Sequence, residues 1–148
     1  MKRIAQYLLA FCAKRIVKKF KPIIIGITGS VGKTTTKACI SHILESEYRV
    51  LQTYENYNTE FGLPLSILQL KASNTKSGWI DVIKQAFKKA YTLDTYYEVL
   101  VLEMGIDQPG DLAYLHTIVQ PHIAIVTNVE SVHLQFSFVY LYLLSQLS

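Results

Sequence analysis

The spacing of apolar positions along this chain changes several times, and each change marks a predicted element. Over residues 2–20, Ile4, Leu8, Cys12, Ile16 and Phe20 recur at every fourth position, widened by Ala5, Leu9, Ala13 and Val17. That period predicts a helix, and Pro22 ends it. Ile23-Ile24-Ile25 is a short β-branched run with no polar alternation, as in a strand buried on both faces. A glycine-punctuated turn follows at 26–32. Residues 33–47 predict a helix with Ala38, Ile40, Ile43 and Leu44 inward, and residues 49–54 a second strand. Residues 55–64 read as a polar loop, 65–70 as a short helix and 71–78 as another loop. A helix over 79–91 would bury Ile80, Ile83, Phe87 and Ala90. A strand over 97–102, a turn, a helix over 111–119 and a strand over 123–127 complete the pattern. Alternating strands and helices predict an α/β fold with a mainly parallel sheet. Ligands of such sheets sit beyond the carboxyl ends of the strands, so the loops after Thr28, Tyr54, Leu102 and Thr127 should share one rim. The last stretch, 138–148, is apolar and aromatic without charge or glycine. It fits a chain cut short or shifted in frame near residue 137.

Charge changes the picture at one end. The net charge is +4, but residues 1–21 hold seven basic side chains and no acidic one, whereas 22–148 hold eight basic against eleven acidic. A basic nucleic-acid-binding body is therefore not expected. For residues 2–20 two readings stay open: a helix docked on the domain, or an interfacial helix making peripheral contact with anionic lipid. No apolar run reaches the roughly 18–20 residues of a membrane span. A signal peptide is disfavoured, because five more basic residues follow the apolar stretch without a clean cleavage site. With 148 residues, half of them hydrophobic and 18% charged, the chain can bury one core and is not disordered. Its two cysteines, Cys12 and Cys39, form no disulfide framework, which suits the cytoplasm.

The strongest chemical signal is Gly26-Ile27-Thr28-Gly29-Ser30-Val31-Gly32-Lys33-Thr34-Thr35. Here an apolar strand enters a glycine-rich turn and Lys-Thr opens a helix. Backbone N–H groups of such a turn converge on phosphate oxygens, helped by the positive end of the helix. Lys33 would reach the β- and γ-phosphates of ATP, and the Thr34 hydroxyl would bind Mg²⁺. The general pattern G-x-x-x-x-G-K-[ST] would put its first glycine at position 27, where Ile27 stands; Gly26 is one residue early.

The shortened form T-G-x-x-G-K-[ST] resembles the ATP-binding loop of the Mur ligase superfamily, ATP-dependent amide ligases of peptidoglycan precursors. Three further segments resemble the same family, in family order: 56–64 (NYNTEFGLP), Leu102-Glu103-Met104-Gly105, and Thr127-Asn128 followed by His133-Leu134. Thr28-Gly29-Ser30, Thr36-Lys37, the Asn-Thr-Glu run and Glu-Met-Gly resemble the branch that adds D-alanyl-D-alanine. The resemblance implies a P-loop type of sheet over 22–137 behind a basic amphipathic helix at 1–21. It implies that Thr28, Gly29, Ser30, Val31, Gly32, Lys33, Thr34, Thr35 and Asn128 hold the nucleotide. Asn58, Thr59 and Glu60 would line the γ-phosphate and carboxylate side of the site, with Lys33 at the reacting phosphate. Thr34 and Glu103 would hold one Mg²⁺ and His133 a second. His42, His116 and His122 read as structural.

The reaction so implied has two steps: ATP converts a carboxylate of a UDP-N-acetylmuramoyl-peptide to an acyl phosphate, and an amino-acid or dipeptide amine displaces phosphate. Three family features are missing from this sequence. Set against the resemblance, these are read to be an N-terminal UDP-binding domain, a lysine after His133, and a C-terminal domain to bind the amine. The sequence is thus read as part of a central ATP-binding domain. The alternatives are a non-catalytic ATP-binding module or inactive fragment, and a different class of P-loop NTPase that would leave the three further segments unexplained.

Overall fold

A computed structural model describes residues 2–54, 57, 59–105 and 111–128. Helix α1 (Lys2–Phe20) leads into strand β1 (Ile23–Thr28), helix α2 (Lys33–Leu44) and strand β2 (Val50–Gln52). Helices α3 (Gly62–Leu68) and α4 (Lys76–Thr92), strand β3 (Val99–Glu103), helix α5 (Asp111–Ile118) and strand β4 (Ile123–Val126) follow. The described sheet has four strands in the order β2-β3-β1-β4, and every pairing is parallel. The α/β expectation therefore holds.

The alternation of side chains along the strands divides the interior in two. Ile24, Leu51, Leu100 and Leu102 face a large cluster built with α1, α3, α4 and α5. Ile25, Ile27, Val99 and Val101 face the other way, against Ile40 and Leu44 of α2. Helix α1 lays Leu9, Cys12, Ala13 and Ile16 into the first cluster, so its apolar face is a docking face. Arg15 stacks its guanidinium 4.0 Å over the Tyr91 ring of α4, adding a cation–π contact at the seam.

Several boundaries and faces differ from expectation. Strand β1 continues to Thr28, so the turn begins only at Gly29. Gly26 lies within the strand because a Cβ there would meet Pro121 Cγ at 2.8 Å and Met104 Sδ at 3.1 Å; packing, not phosphate, requires it. Helix α3 starts at Gly62, inside the expected loop, and all seven of its residues are buried. Pro64 does not prevent this, since the first turn of a helix has no use for that N–H. In α2 the inward residues are Lys37 and Ser41 beside Ile40 and Leu44, while Ala38 and Ile43 are exposed. In α4, Val82, Ala86 and Ala90 are buried and Ile80 faces solvent.

His122 is structural, as expected. Its Nδ1 accepts the Ile24 N–H at 3.0 Å, and its own N–H donates to Ile24 O, fastening the start of β4 to β1.

Candidate functional site

All four strands point their carboxyl ends at one rim, and the loops there are stitched together. Ser30 N donates to Asn128 O at 2.7 Å and Thr127 N to Thr28 O at 3.0 Å. Thr127 Oγ1 donates to Val31 O at 2.6 Å. On the other flank Thr53 N donates to Val101 O and Glu103 N to Thr53 Oγ1 at 3.0 Å. The chain leaves neighbouring strands β1 and β3 toward opposite edges of the sheet, toward β2 and toward β4. Such a switch point opens a crevice between the two strands, and the glycine-rich loop follows one of them while Glu103 ends the other.

The loop has the conformation of a phosphate cradle. Gly29 and Gly32 have φ of 135° and 85°, values in which an L-residue with a Cβ is strained. Gly29 is packed, since a Cβ would come within 2.9 Å of Asn128 O. At Gly32 the nearest neighbour would be Thr127 Cβ at 3.9 Å, so that side of the loop is open. The N-cap of α2 is Gly32, which has no side chain to cap the helix, and this leaves its first N–H groups for an anion. Lys33 Nζ folds across the loop and donates to Gly29 O at 2.6 Å and Ser30 O at 3.2 Å. The Thr28 hydroxyl is buried, with no hydrogen-bond partner among the described residues.

The deciding contact lies beside the loop. Residues 99, 101 and 103 of β3 face α2, where Thr34 and Lys37 are one turn apart. Thr34 Oγ1 donates to Glu103 Oε2 at 3.0 Å, and Lys37 Nζ lies 3.5 Å from the same oxygen. Neighbouring oxygens in an octahedral Mg²⁺ shell with bonds of 2.0–2.1 Å are also about 3 Å apart. A hydroxyl and one carboxylate are the hard oxygen donors that Mg²⁺ takes, with phosphate and water completing the shell. The donor set therefore fits the cation.

This loop, with its threonine joined to the carboxylate of a neighbouring strand, lies in a stretch where residues 27–138 match the model of the Mur ligase middle domain. The chain belongs to the Mur ligase family. It is 34% identical over 123 residues to the UDP-N-acetylmuramoyl-tripeptide–D-alanyl-D-alanine ligase of Bacillus subtilis, a match covering 83% of this chain and 22% of that protein. The ligase of the same name from Treponema pallidum is 36% identical over 117 residues, covering 78% and 20%. In three dimensions the chain resembles the MurF ligase of Thermotoga maritima crystallised with ADP, with a TM-score of 0.65, 36% identity, and 87% and 25% of the two chains covered. This chain therefore spans about a quarter or less of the relatives it matches.

The remaining expected Mur ligase positions fall out as follows. Asn58 and His133 lie outside the described residues. Thr59 lies in the turn that leads into α3: its Oγ1 accepts from Gly62 N at 3.4 Å and its carbonyl from Leu63 N at 2.9 Å. Glu60 and Thr35 are exposed, and Asn128 touches the loop through its backbone carbonyl. Two residues carry more of the site than the sequence assigned to them. Lys37, noted only within the Thr36-Lys37 resemblance, is buried and donates to Thr53 O at 2.8 Å; a lysine three positions after Thr34 was the available signal. Thr127, noted only within the Thr127-Asn128 segment, buttresses the loop.

Proposed function

We propose that this chain is the nucleotide-binding core of an ATP-dependent ligase acting on a UDP-N-acetylmuramoyl-peptide, with D-alanyl-D-alanine as the incoming amine. The reading is supported above all by the Thr34–Glu103 contact beside the Lys33 loop. The relatives' names suggest the substrates, and ATP as substrate would suit the cytoplasm.

The loop N–H groups and the N-terminus of α2 would hold the phosphates, and Lys33 would exchange two loop carbonyls for phosphate oxygens. Thr34 and Glu103 would hold Mg²⁺, which supplies charge neutralisation on the transferring phosphoryl group. In the first step a substrate carboxylate oxygen bonds to the γ-phosphorus and the bond to ADP breaks. In the second the amine bonds to the acyl carbon, phosphate leaves with the C–O electrons, and the nitrogen loses a proton. Asn58, Thr59 and Glu60 are assigned to the carboxylate side, Asn128 to the nucleotide and His133 to a second Mg²⁺. The test is calorimetric titration of the folded chain with Mg·ADP. Lys33→Ala should weaken binding at least about tenfold; equal affinity, or no binding by the folded wild type, overturns the reading.

Membrane contact by residues 2–20 is favoured by one specific feature. Opposite its buried face α1 exposes Ile4, Tyr7 and Phe11, and the same face continues with exposed Lys14 and Lys18. Apolar side chains beside cations suit an anionic bilayer surface. Among the described residues no helix is long and apolar enough to cross a membrane, so contact would be peripheral. Vesicles with phosphatidylglycerol should sediment the chain and the Tyr7→Ser, Phe11→Ser variant should stay in solution; equal partitioning refutes the contact.

A further inference from the structure

We infer that Lys37 is a built-in counter-cation for Glu103, and that it makes divalent-metal binding at this carboxylate depend on bound nucleotide. The inference rests on the reading of Thr34 and Glu103 as Mg²⁺ ligands, and concerns what this chain does before the nucleotide arrives.

Lys37 is only 3% exposed. Its ammonium is held at two points, 2.8 Å from Thr53 O and 3.5 Å from Glu103 Oε2. Thr53 in turn accepts the Glu103 N–H on its hydroxyl, so the three residues form one closed unit joining α2, the end of β2 and the end of β3. A buried ammonium cannot leave such a site cheaply, because it would forfeit both partners and strand the Thr53 carbonyl. The Glu103 charge is therefore already balanced, on the oxygen that Thr34 also contacts. A divalent cation approaching this carboxylate alone meets a fixed positive charge a few ångströms away, in a site where water screens poorly. The phosphates of a nucleotide in the loop restore the missing negative charge. Metal and nucleotide thus enter as a pair, and Lys37 acts as a positioning residue that fixes this order without touching either.

The experiment is Mn²⁺ titration of the folded chain by electron paramagnetic resonance at pH 8, with and without saturating ADP. Lys37→Met removes charge and donor together; Lys37→Gln removes charge and keeps a neutral donor for Thr53, in case the first variant does not fold. Circular dichroism checks folding of both. Without ADP, Mn²⁺ should bind the variants at least tenfold more tightly than wild type, and ADP should narrow the difference. Adding Glu103→Gln to either variant should abolish the gain. Unchanged or weaker Mn²⁺ affinity without ADP in a folded Lys37 variant overturns the inference, as does a gain that survives Glu103→Gln. If the Mn²⁺ gain appears but ADP does not bind any of the proteins, the counter-cation stands and the nucleotide reading falls.

Discussion

Replacing Gly26 by alanine separates a packing glycine from a phosphate-binding one. The new Cβ would lie 2.8 Å and 3.2 Å from Pro121 Cγ and Cβ, and 3.1 Å from Met104 Sδ. The methionine can turn away; the proline ring cannot, because His122 beside it is hydrogen-bonded to Ile24 on both its backbone and its ring. Ring and strand must part by about half an ångström, an overpacking of the kind that costs roughly 1–3 kcal/mol. Alanine recovers about 0.4–1 kcal/mol by restricting the unfolded chain, since Gly26 does not need a positive φ. The net loss is then about 1–2 kcal/mol. For a chain of this length that lowers Tm by roughly 3–8 °C. Because Gly26 lies three residues before the loop's first positive-φ glycine, Mg·ADP affinity at a temperature where both proteins are folded should change less than about threefold. Scanning calorimetry and isothermal titration measure the two quantities. A Gly26→Ala protein of wild-type stability, or one that keeps its stability and loses nucleotide, refutes the packing argument.

The two thiols should behave oppositely. Cys39 is exposed and Cys12 buried, so a thiol reagent should titrate one group in the native protein and two in denaturant; rapid reaction of both under native conditions contradicts the docking of α1. Burial pushes the Cys12 thiol up to about 11. A raised value means that the protonated, folded form is favoured below the unfolded thiol's value of roughly 8.5, and that the advantage is lost as pH rises toward 11. Cys12→Ala should lessen the decline in stability across that window, measured by urea unfolding at pH 8 and pH 10.5.

Much of the fold was legible because apolar runs and punctuation agree. Pro22 separates α1 from β1, and the Ile23–Ile25 run is apolar because β1 is covered on both faces, by Ile24 toward one cluster and Ile25 toward the other. Errors arose where a buried face is not apolar or a polar-looking segment is buried. In helix α2, Ile40 and Leu44 face inward as expected, but hydrophobicity also favours Ala38 and Ile43, which are exposed, while Lys37 and Ser41 are buried. Helix α3 begins earlier than expected because Gly62 signals a turn; in fact the glycine is required by the Tyr57 backbone, which a Cβ there would strike. At the site, the loop and its lysine announce their chemistry through residue types alone. The pairing of Thr34 with Glu103 does not, since the two are 69 positions apart and only the parallel β1–β3 register brings them together. Resemblance to a family supplied that pair in advance; spacing could not.

The inward face of α2 carries an energetic argument of its own. A buried lysine and a buried serine hydroxyl without a hydrogen-bond partner among the described residues are poor choices for stability. Desolvating an ion pair commonly cancels its Coulombic gain, and apolar residues of similar volume often do as well or better. Ile40 and Leu44 show that the same face packs apolar side chains against β1 and β3 without difficulty. The charged position lies in the part of the helix nearest the loop, where Thr34 and Lys37 meet Glu103; one turn on, Ile40 and Leu44 pack apolar side chains with Ser41 between them. Stability is conceded where the strand ends and charge is needed, and recovered where the strand is only a wall. An α2 built for packing alone would bury Met at position 37. The Lys37→Met, Glu103→Leu double variant should therefore be at least as stable as either single variant, because each single change strands one buried charge. Thermal unfolding of the three compares the cost of replacing the pair with that of breaking it; a double variant less stable than both singles would mean that the buried pair is itself a principal support of the fold.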